Sequence, residues 1–148
     1  MLLASGVALA ATFDGTPGPD IFVGTPGPDD IRGRGGDDTL SGAGGIDRVR
    51  GDGGNDSVSG GPGGTLDRRE EVRGDLGNDD MIGGDGADFI RADDAGIDTV
   101  SAGAGNDVIE AHDDAGTDTI ACGDGTDTVD FDGGVDVVAA DCENRDPH

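Results

Sequence analysis

Residues 15–59 divide without remainder into five nonapeptides: GTPGPDIFV, GTPGPDDIR, GRGGDDTLS, GAGGIDRVR and GDGGNDSVS. In each block the first and fourth residues are Gly, the sixth is Asp and the eighth is a large apolar residue. A fixed short period is typical of solenoids, because each repeat buries its apolar side only by stacking on the next repeat. The period therefore predicts a stacked architecture.

The period continues toward the C-terminus with one interruption. Gly60–Arg73 is longer than a nonapeptide, carries Glu70 where Asp is expected, and is interpreted as a unit with an inserted loop at 64–68. Nonapeptides then resume and run to Ala139, but the later ones lose the first-position Gly while keeping the fourth. In this alignment Ala92 and Ala111-His112 are extra residues that precede two of the later units.

Composition excludes a thick globular core. Apolar residues are only 32% of the 148, and 31 residues are Gly, with no Trp or Tyr. The net charge of −24 with low hydrophobicity is a signature of disorder. The regular placement of the acids instead favours ligand positions, so the chain is expected to be disordered without metal and folded with it. Nucleic acid and anionic membranes are unsuitable partners, because both require Lys and Arg.

Each unit is interpreted as a six-residue turn followed by a three-residue strand, in which the eighth residue faces inward and its neighbours face outward. Two units then form one coil, with a strand on each side. The prediction is an all-β parallel β-roll, a β-solenoid of about six to seven two-strand coils. Its inward ladder consists of Phe22, Ile31, Leu40, Val49, Val58, Val72, Met81, Ile90, Val100, Ile109, Ile120, Val129 and Val138.

The sixth-position Asp residues are the candidate metal ligands. Turns on one edge stack, which places Asp20 under Asp38 and Asp29 under Asp47, where neighbouring carboxylates repel one another. A hard divalent cation between stacked carboxylates reverses that repulsion, and Ca²⁺ accepts six to eight oxygens in loose geometry, including turn carbonyls. We expect several Ca²⁺ ions, loading most readily at the opening stretch, with these ligands: Asp20, Asp29, Asp38, Asp47, Asp56, Asp79, Asp88, Asp98, Asp107, Asp118, Asp127 and Asp136.

Blocks such as GDGGNDSVS and GGDGADFIR resemble the G-G-x-G-x-D-x-U-x unit of the hemolysin-type calcium-binding (RTX) repeat family. The resemblance covers Gly15–Ala139. It implies a parallel β-roll that binds Ca²⁺ between its coils, an extracellular location and folding on calcium. Most units of this chain lack the second Gly of the family pattern, and the later units lack the first.

The two ends of the chain differ from the repeats. Residues 1–10, MLLASGVALA, resemble the apolar region and A-x-A cleavage site of a signal peptide, although a hydrophobic first strand is the alternative. The predicted division is a signal peptide at 1–10, the β-roll at 11–139 and a C-terminal cap or tail at 140–148. No stretch has the roughly 18 apolar residues that a membrane span requires.

Cys122 and Cys142 lie about one coil apart, and a cysteine pair in a secreted chain predicts a disulfide, with two buried thiols as the alternative. Ninth-position arginines form a predicted outer ladder on one sheet, continued by Glu110 and Asp130, and Ser and Thr residues line the other sheet. Solvated faces are the favoured interpretation of both ladders. The residues are Arg32, Arg50, Arg73 and Arg91 on one sheet, and Ser41, Ser59, Ser101, Thr39, Thr99 and Thr119 on the other.

Catalysis has little support in the sequence. His112 and His148 are the only histidines, and neither has a nucleophile in a recognisable setting. The prediction is a secreted, non-enzymatic calcium-binding protein. The alternative is an extracellular adhesive or ligand-binding module, for a glycan or for ice, that uses the Arg face or the Ser/Thr face. An accessory fragment of an enzyme is the third reading, and any protein or glycan partner is unknown.

Overall fold

The computed structural model describes residues 9–63, 69–93, 95–112 and 116–148, which form β-strands and no helix. The predicted signal peptide lies outside them except for Leu9 and Ala10, and the predicted loop at 64–68 lies outside them entirely. No helix within these ranges could cross a membrane. The strands are β1 (Thr12–Asp14), β2 (Ile21–Val23), β3 (Asp30–Arg32), β4 (Thr39–Ser41), β5 (Arg48–Gly53), β6 (Ser57–Pro62), β7 (Glu70–Leu76), β8 (Asp80–Asp85), β9 (Asp88–Arg91), β10 (Thr99–Gly105), β11 (Val108–Ala111), β12 (Thr119–Gly125), β13 (Thr128–Phe131), β14 (Val137–Val138) and β15 (Asn144–Pro147).

The strands form two parallel sheets, one on each side of the coil. Odd-numbered strands build an eight-stranded sheet and even-numbered strands a seven-stranded sheet, both in chain order. The register follows the eighth position, so that Phe22 pairs with Leu40 and Leu40 with Val58. The predicted β-roll is confirmed, with about seven coils.

The eighth-position ladder is the core. Its interior members are at most 1% exposed, whereas Phe22 and Val138, near the two ends, are only partly buried. Because the seam is one side chain thick on each sheet, it stabilises the coil only modestly against the entropy of ordering so many glycines. The fully buried members are Ile31, Leu40, Val49, Val58, Val72, Met81, Ile90, Val100, Ile109, Ile120 and Val129.

Two strands extend the stack beyond the predicted ladder. At the N-terminal end, Phe13 of β1 pairs with Ile31, and its ring stacks on Phe22 with centroids 4.3 Å apart. At the C-terminal end, residues 140–148, predicted as a cap or tail, supply β15, in which Arg145 pairs with Val129. The tail therefore adds a last strand to the eight-stranded sheet.

Many strands are longer than the predicted three residues. The strands β5 to β8, β10 and β12 have six or seven residues, because pairing continues into the turn. The first turns end pairing early, since Pro17, Pro19, Pro26 and Pro28 have no N–H to donate to a ladder.

The placement of the extra residues in the later units is corrected by the register. Arg91 pairs with Arg73, so Ala92 takes the position of Gly74, and Ala111 pairs with Phe131 at the same position of the next coils. Both alanines are buried in the core. The added length lies within the turns that follow Ala92 and Ala111, where a turn accepts it without shifting the ladder.

The predicted disulfide is confirmed: Cys122 and Cys142 are bonded, with Cα atoms 5.2 Å apart, and both are buried. The register confirms the predicted arginine column, whereas Ile82 interrupts the predicted Ser row between Ser59 and Ser101. Arg32, Arg50, Arg73 and Arg91 pair in succession on the eight-stranded sheet, and Ser41 pairs with Ser59 on the seven-stranded sheet.

Candidate metal sites

The turns that carry the Asp residues depend on left-handed backbone at two positions. Fourth-position glycines of several turns adopt positive φ, as at Gly45 (135°) and Gly54 (132°), whereas Gly18 and Gly105 at the same position do not. The second position is also left-handed, as at Gly61 (110°) and Gly84 (126°). These conformations curl the backbone so that the sixth-position side chain turns back under its own loop.

Sixth-position Asp side chains are buried in every coil except the outermost turns. Their exposure is 5% or less, whereas Asp20 and Asp136, in the first and last nonapeptides, are only partly buried. An ionised carboxylate is costly to bury unless its oxygens are paired or bind a cation. The buried members are Asp29, Asp38, Asp47, Asp56, Asp79, Asp88, Asp98, Asp107, Asp118 and Asp127.

Along both edges, Glu70 and Asp88 apart, one oxygen of the stacked carboxylate accepts a hydrogen bond from the coil below. The backbone N–H of Asp20 donates to Asp38 Oδ1 at 2.7 Å, and that of Asp38 donates to Asp56 Oδ1 at 2.8 Å. The same bond recurs along both edges, as between the Asp29 amide and Asp47 Oδ1. A backbone amide therefore links the predicted Asp pairs, with no direct contact between the carboxylates required.

The second oxygen is the candidate ligand. Among the described residues, Oδ2 of Asp38, Asp47, Asp56, Asp107 and Asp127 is buried without a hydrogen-bond partner. At Gly42, a Cβ would press on Asp47 Oδ2 and would lie 2.6 Å from the Gly60 carbonyl oxygen of the next coil. In this turn a carboxylate oxygen and a carbonyl oxygen thus converge where Gly42 has no Cβ, whereas Ala102 and Cys122 hold the same position in the turns of Asp107 and Asp127.

In the outermost turns, a backbone amide of the turn itself donates a hydrogen bond to the second carboxylate oxygen. The Thr16 amide donates to Asp20 Oδ2 at 2.6 Å and the Thr25 amide to Asp29 Oδ2 at 2.5 Å. In the last nonapeptide the Asp132 amide donates to Asp136 Oδ2 at 2.9 Å. In these three turns the second oxygen is already satisfied, so a cation would have to displace an amide.

Glu70 replaces Asp at the centre of one edge. It is 0% exposed between Asp47 and Asp88. Within the described part of the chain neither oxygen of Glu70 or Asp88 has a hydrogen-bond partner by distance and angle, but the two carboxyls are close enough for a proton on Glu70 to be shared with Asp88. Burial, and then the charges of Asp88 and Asp47, raise the pKa of Glu70 to about 8. Burial and the charge of Asp107 raise the pKa of Asp88 to about 7. This is the most electrostatically unfavourable place in the described stack.

Without metal, we expect the chain to be more stable at pH 5 than at pH 8. Burial raises the pKa of Asp56 and of Asp107 to about 6, so the folded state retains protons there that the unfolded state releases near its ordinary value of about 4. Stability then falls as the pH rises from about 4 to about 8. Far-ultraviolet circular dichroism of metal-stripped protein across this range measures the trend, as a folded fraction that decreases when the pH rises.

The calcium-loaded protein is the control for that titration. Its stability is expected to change in the opposite direction, because protonation competes with cation binding. Greater stability of the metal-stripped protein at pH 8 than at pH 5 would contradict the assignment of raised carboxylate pKa values.

The donor set fits a hard cation. The described ranges bring no three His, Cys, Asp or Glu side chains together in a metal-binding group, so most ligands would be backbone carbonyls. Oxygen-only, mainly neutral coordination of flexible geometry suits Ca²⁺ better than Mg²⁺, which demands a strict octahedron, or the softer transition metals.

Comparison with known proteins assigns the family. The model of the RTX calcium-binding nonapeptide repeat matches residues 14–49, 41–64, 73–95, 93–115 and 111–138. The chain belongs to the RTX calcium-binding nonapeptide repeat family. Searches of curated proteins and of solved structures returned no match to this RTX chain.

The structure shows one further carboxylate that the sequence reasoning missed in this RTX chain. Glu143 occupies the sixth position of the last turn, where its Oε2 accepts the Asp127 amide at 3.0 Å. No nonapeptide glycine precedes Glu143, which hid it from the period. Its only signal was an acidic residue in the tail about one coil beyond Asp127.

Proposed function

We propose that the chain is a secreted, non-enzymatic protein whose β-roll completes its folding by binding several Ca²⁺ ions at its stacked turns. The observation that carries this proposal is the unpartnered second oxygen of buried interior carboxylates such as Asp38, Asp47 and Asp56. Family membership supports calcium as the cation. Bound Ca²⁺ supplies the positive charge that offsets their burial and mutual repulsion.

The carboxylates of the interior turns are the proposed calcium ligands, and these turns bind calcium before the outermost turns do. Asp20, Asp29 and Asp136 remain predicted ligands, but their own amides already occupy the second oxygen. This order reverses the expectation that the opening stretch loads first. The interior set is Asp38, Asp47, Asp56, Asp79, Asp88, Asp98, Asp107, Asp118 and Asp127, with Glu70 at the interrupted unit.

Secretion and the lack of catalysis rest on separate support. The Cys122–Cys142 bridge is of the kind that persists in oxidising compartments outside the cytosol. The buried carboxylates are spread along the whole stack rather than paired in one cleft, and this favours metal binding over acid–base chemistry.

The substitutions Asp38→Asn and Asp20→Asn test the proposed ligand set one coil apart on the same edge. Asn keeps an oxygen to accept the amide from the coil below but replaces Oδ2 with an NH₂ group. Asp38→Asn is expected to bind at least one ion fewer per chain and to need about tenfold more calcium to fold, whereas Asp20→Asn keeps the full count near saturation. Equilibrium dialysis with metal analysis gives the count, and circular dichroism gives the folding midpoint.

Two results would count against this assignment. One is an unchanged ion count and folding midpoint in Asp38→Asn. The other is a loss in Asp20→Asn as large as that in Asp38→Asn, which would show that the turn amide does not protect the outer site.

A further inference from the structure

A column of four arginines crosses the outer face of the eight-stranded sheet. The four residues occupy paired positions on successive strands, which lie about 4.8 Å apart. They are Arg32, Arg50, Arg73 and Arg91. Like charges placed directly opposite one another destabilise a sheet. The chain has only 9 basic residues against 33 acidic ones, so placing four of them in one column is a marked concentration of positive charge.

The arginines open into a cleft at the edge of that sheet. Its volume is about 620 Å³, and it is lined by Arg32, Arg34, Arg50 and Arg73 together with Asp52, Gly53, Asp75 and Leu76. The lining therefore combines four guanidinium groups with two carboxylates, on a protein whose overall charge is strongly negative.

Three lining residues are held in a conformation that normally favours Gly. Arg34, Asp52 and Asp75 have φ of 79°, 73° and 66° at the second position of successive turns. On the opposite edge of the roll, the second position of the corresponding turns is Gly at Gly61 and Gly84, and Ala43 is the exception. A side chain at positive φ is strained in a way that Gly is not. The polar side chains on this edge are therefore present despite a local cost to stability.

The ion pairs of the cleft leave one cation unsatisfied. Arg32 pairs with Asp52, and Arg34 pairs with Asp14 across a half-exposed surface. Exposed pairs of this kind contribute little to stability, so an incoming anion exchanges with them easily. Arg73 pairs with Asp75. Arg50 lies between Arg32 and Arg73 in the column, and among the described residues its Nε is buried with no hydrogen-bond partner.

We propose that this cleft binds an acidic sugar unit, with Arg50 as the central contact to its carboxylate or sulfate group. Guanidinium groups bind such oxyanions in a bidentate manner. Asp52 and Asp75 accept hydrogen bonds from the sugar hydroxyls, whereas a bare anion would be repelled by them. Arg34, Asp52 and Asp75 belong to the turns of Asp38, Asp56 and Asp79, so the cleft is expected to need calcium-loaded turns for its shape.

Nucleic acid fits this surface less well than a sugar. Single-stranded nucleic acid is bound by extended positive grooves with aromatic side chains on which the bases stack. The cleft has no aromatic side chain, and Asp52 and Asp75 would face the phosphates. The net charge of −24 adds long-range repulsion of any long polyanion.

Calorimetric titration of the calcium-saturated full chain tests the proposal. Two probes are used, a trigalacturonate and a sulfated chondroitin tetrasaccharide, to separate carboxylate from sulfate chemistry. Binding of either probe is expected, with affinity reduced about tenfold or more in Arg50→Gln. The matched control is Arg48→Gln, which removes the same charge from the same strand but from a residue that pairs with Glu71 outside the cleft. It is expected to bind as the parent does.

Circular dichroism of both variants verifies that the β-roll is intact. The proposal is overturned if neither saccharide binds, if Arg50→Gln binds as well as Arg48→Gln, or if both variants lose binding equally, which would indicate a general charge effect. Equal affinity for a single-stranded oligonucleotide would also overturn it, since the Asp-flanked cleft predicts selection against phosphodiesters.

Discussion

Chelating calcium is expected to abolish most of the β-sheet circular dichroism of the chain at pH 8. Without the cation, the interior column places Glu70 and Asp88 together, fully buried and without hydrogen-bond partners by geometry. The apolar seam is one side chain thick on each sheet, and leaving a buried charge uncompensated costs roughly 3–5 kcal/mol. A domain has only about 5–15 kcal/mol of stability in total, so a few such sites exceed it.

The measurement is far-ultraviolet circular dichroism during titration of stripped protein with calcium, with sedimentation velocity to follow compaction. Magnesium at the same concentration is the control, and it is expected to restore much less structure because the turns offer loose geometry and few charged oxygens. A β signal that is insensitive to chelator would refute metal-dependent folding. An equal response to magnesium would refute the selectivity of the turns.

The substitution Gly54→Ala is expected to destabilise the calcium-loaded roll by about 3 kcal/mol, or roughly 10 °C in melting temperature. Gly54 has φ of 132°, and a Cβ there would lie 2.6 Å from the carbonyl carbon of Gly36 in the coil below. The methyl group cannot be accommodated by a rotamer change because the obstacle is backbone. The two coils must separate, which also weakens the hydrogen bond from the Gly36 amide to the Gly53 carbonyl oxygen.

Gly18→Ala is the matched control for that substitution. Gly18 occupies the same fourth position in the first nonapeptide, yet a Cβ there would meet nothing within 4 Å. Its melting temperature is expected to stay within about 2 °C of the parent. Equal losses in the two variants would show that the cost comes from the flexibility of Gly in the unfolded chain rather than from stacking between coils.

The sequence period predicted the register of the fold because a solenoid has few other degrees of freedom. Once every eighth residue faces inward, the pairing of Leu40 with Val58 and of Arg32 with Arg50 follows directly. The terminal strands were not predicted. Phe13 and Arg145 take ladder positions through backbone pairing, which the ring stacking of Phe13 on Phe22 supports at the N-terminal end, in segments that do not follow the nonapeptide pattern.

The candidate site was predicted at the level of residues but not of atoms. Periodicity identified the sixth-position carboxylates, and repulsion between them suggested a cation lying between stacked pairs. In interior turns such as that of Asp38 the two oxygens instead have different roles, with Oδ1 accepting an amide of the coil below and Oδ2 facing the turn. That division depends on where the backbone N–H of the coil below points, which sequence spacing does not encode. For the same reason the protection of Asp20 by the Thr16 amide could not be predicted.

The bond between Cys122 and Cys142 gives the roll a permanent template. It closes the last coil covalently, so that this coil stays closed when calcium is withdrawn from the chain. In a one-dimensional stack the first coil is the costly one, because every later coil adds to an existing edge. We therefore expect refolding on calcium to start at the C-terminal end and to proceed toward the stacked rings of Phe13 and Phe22 at the N-terminal end.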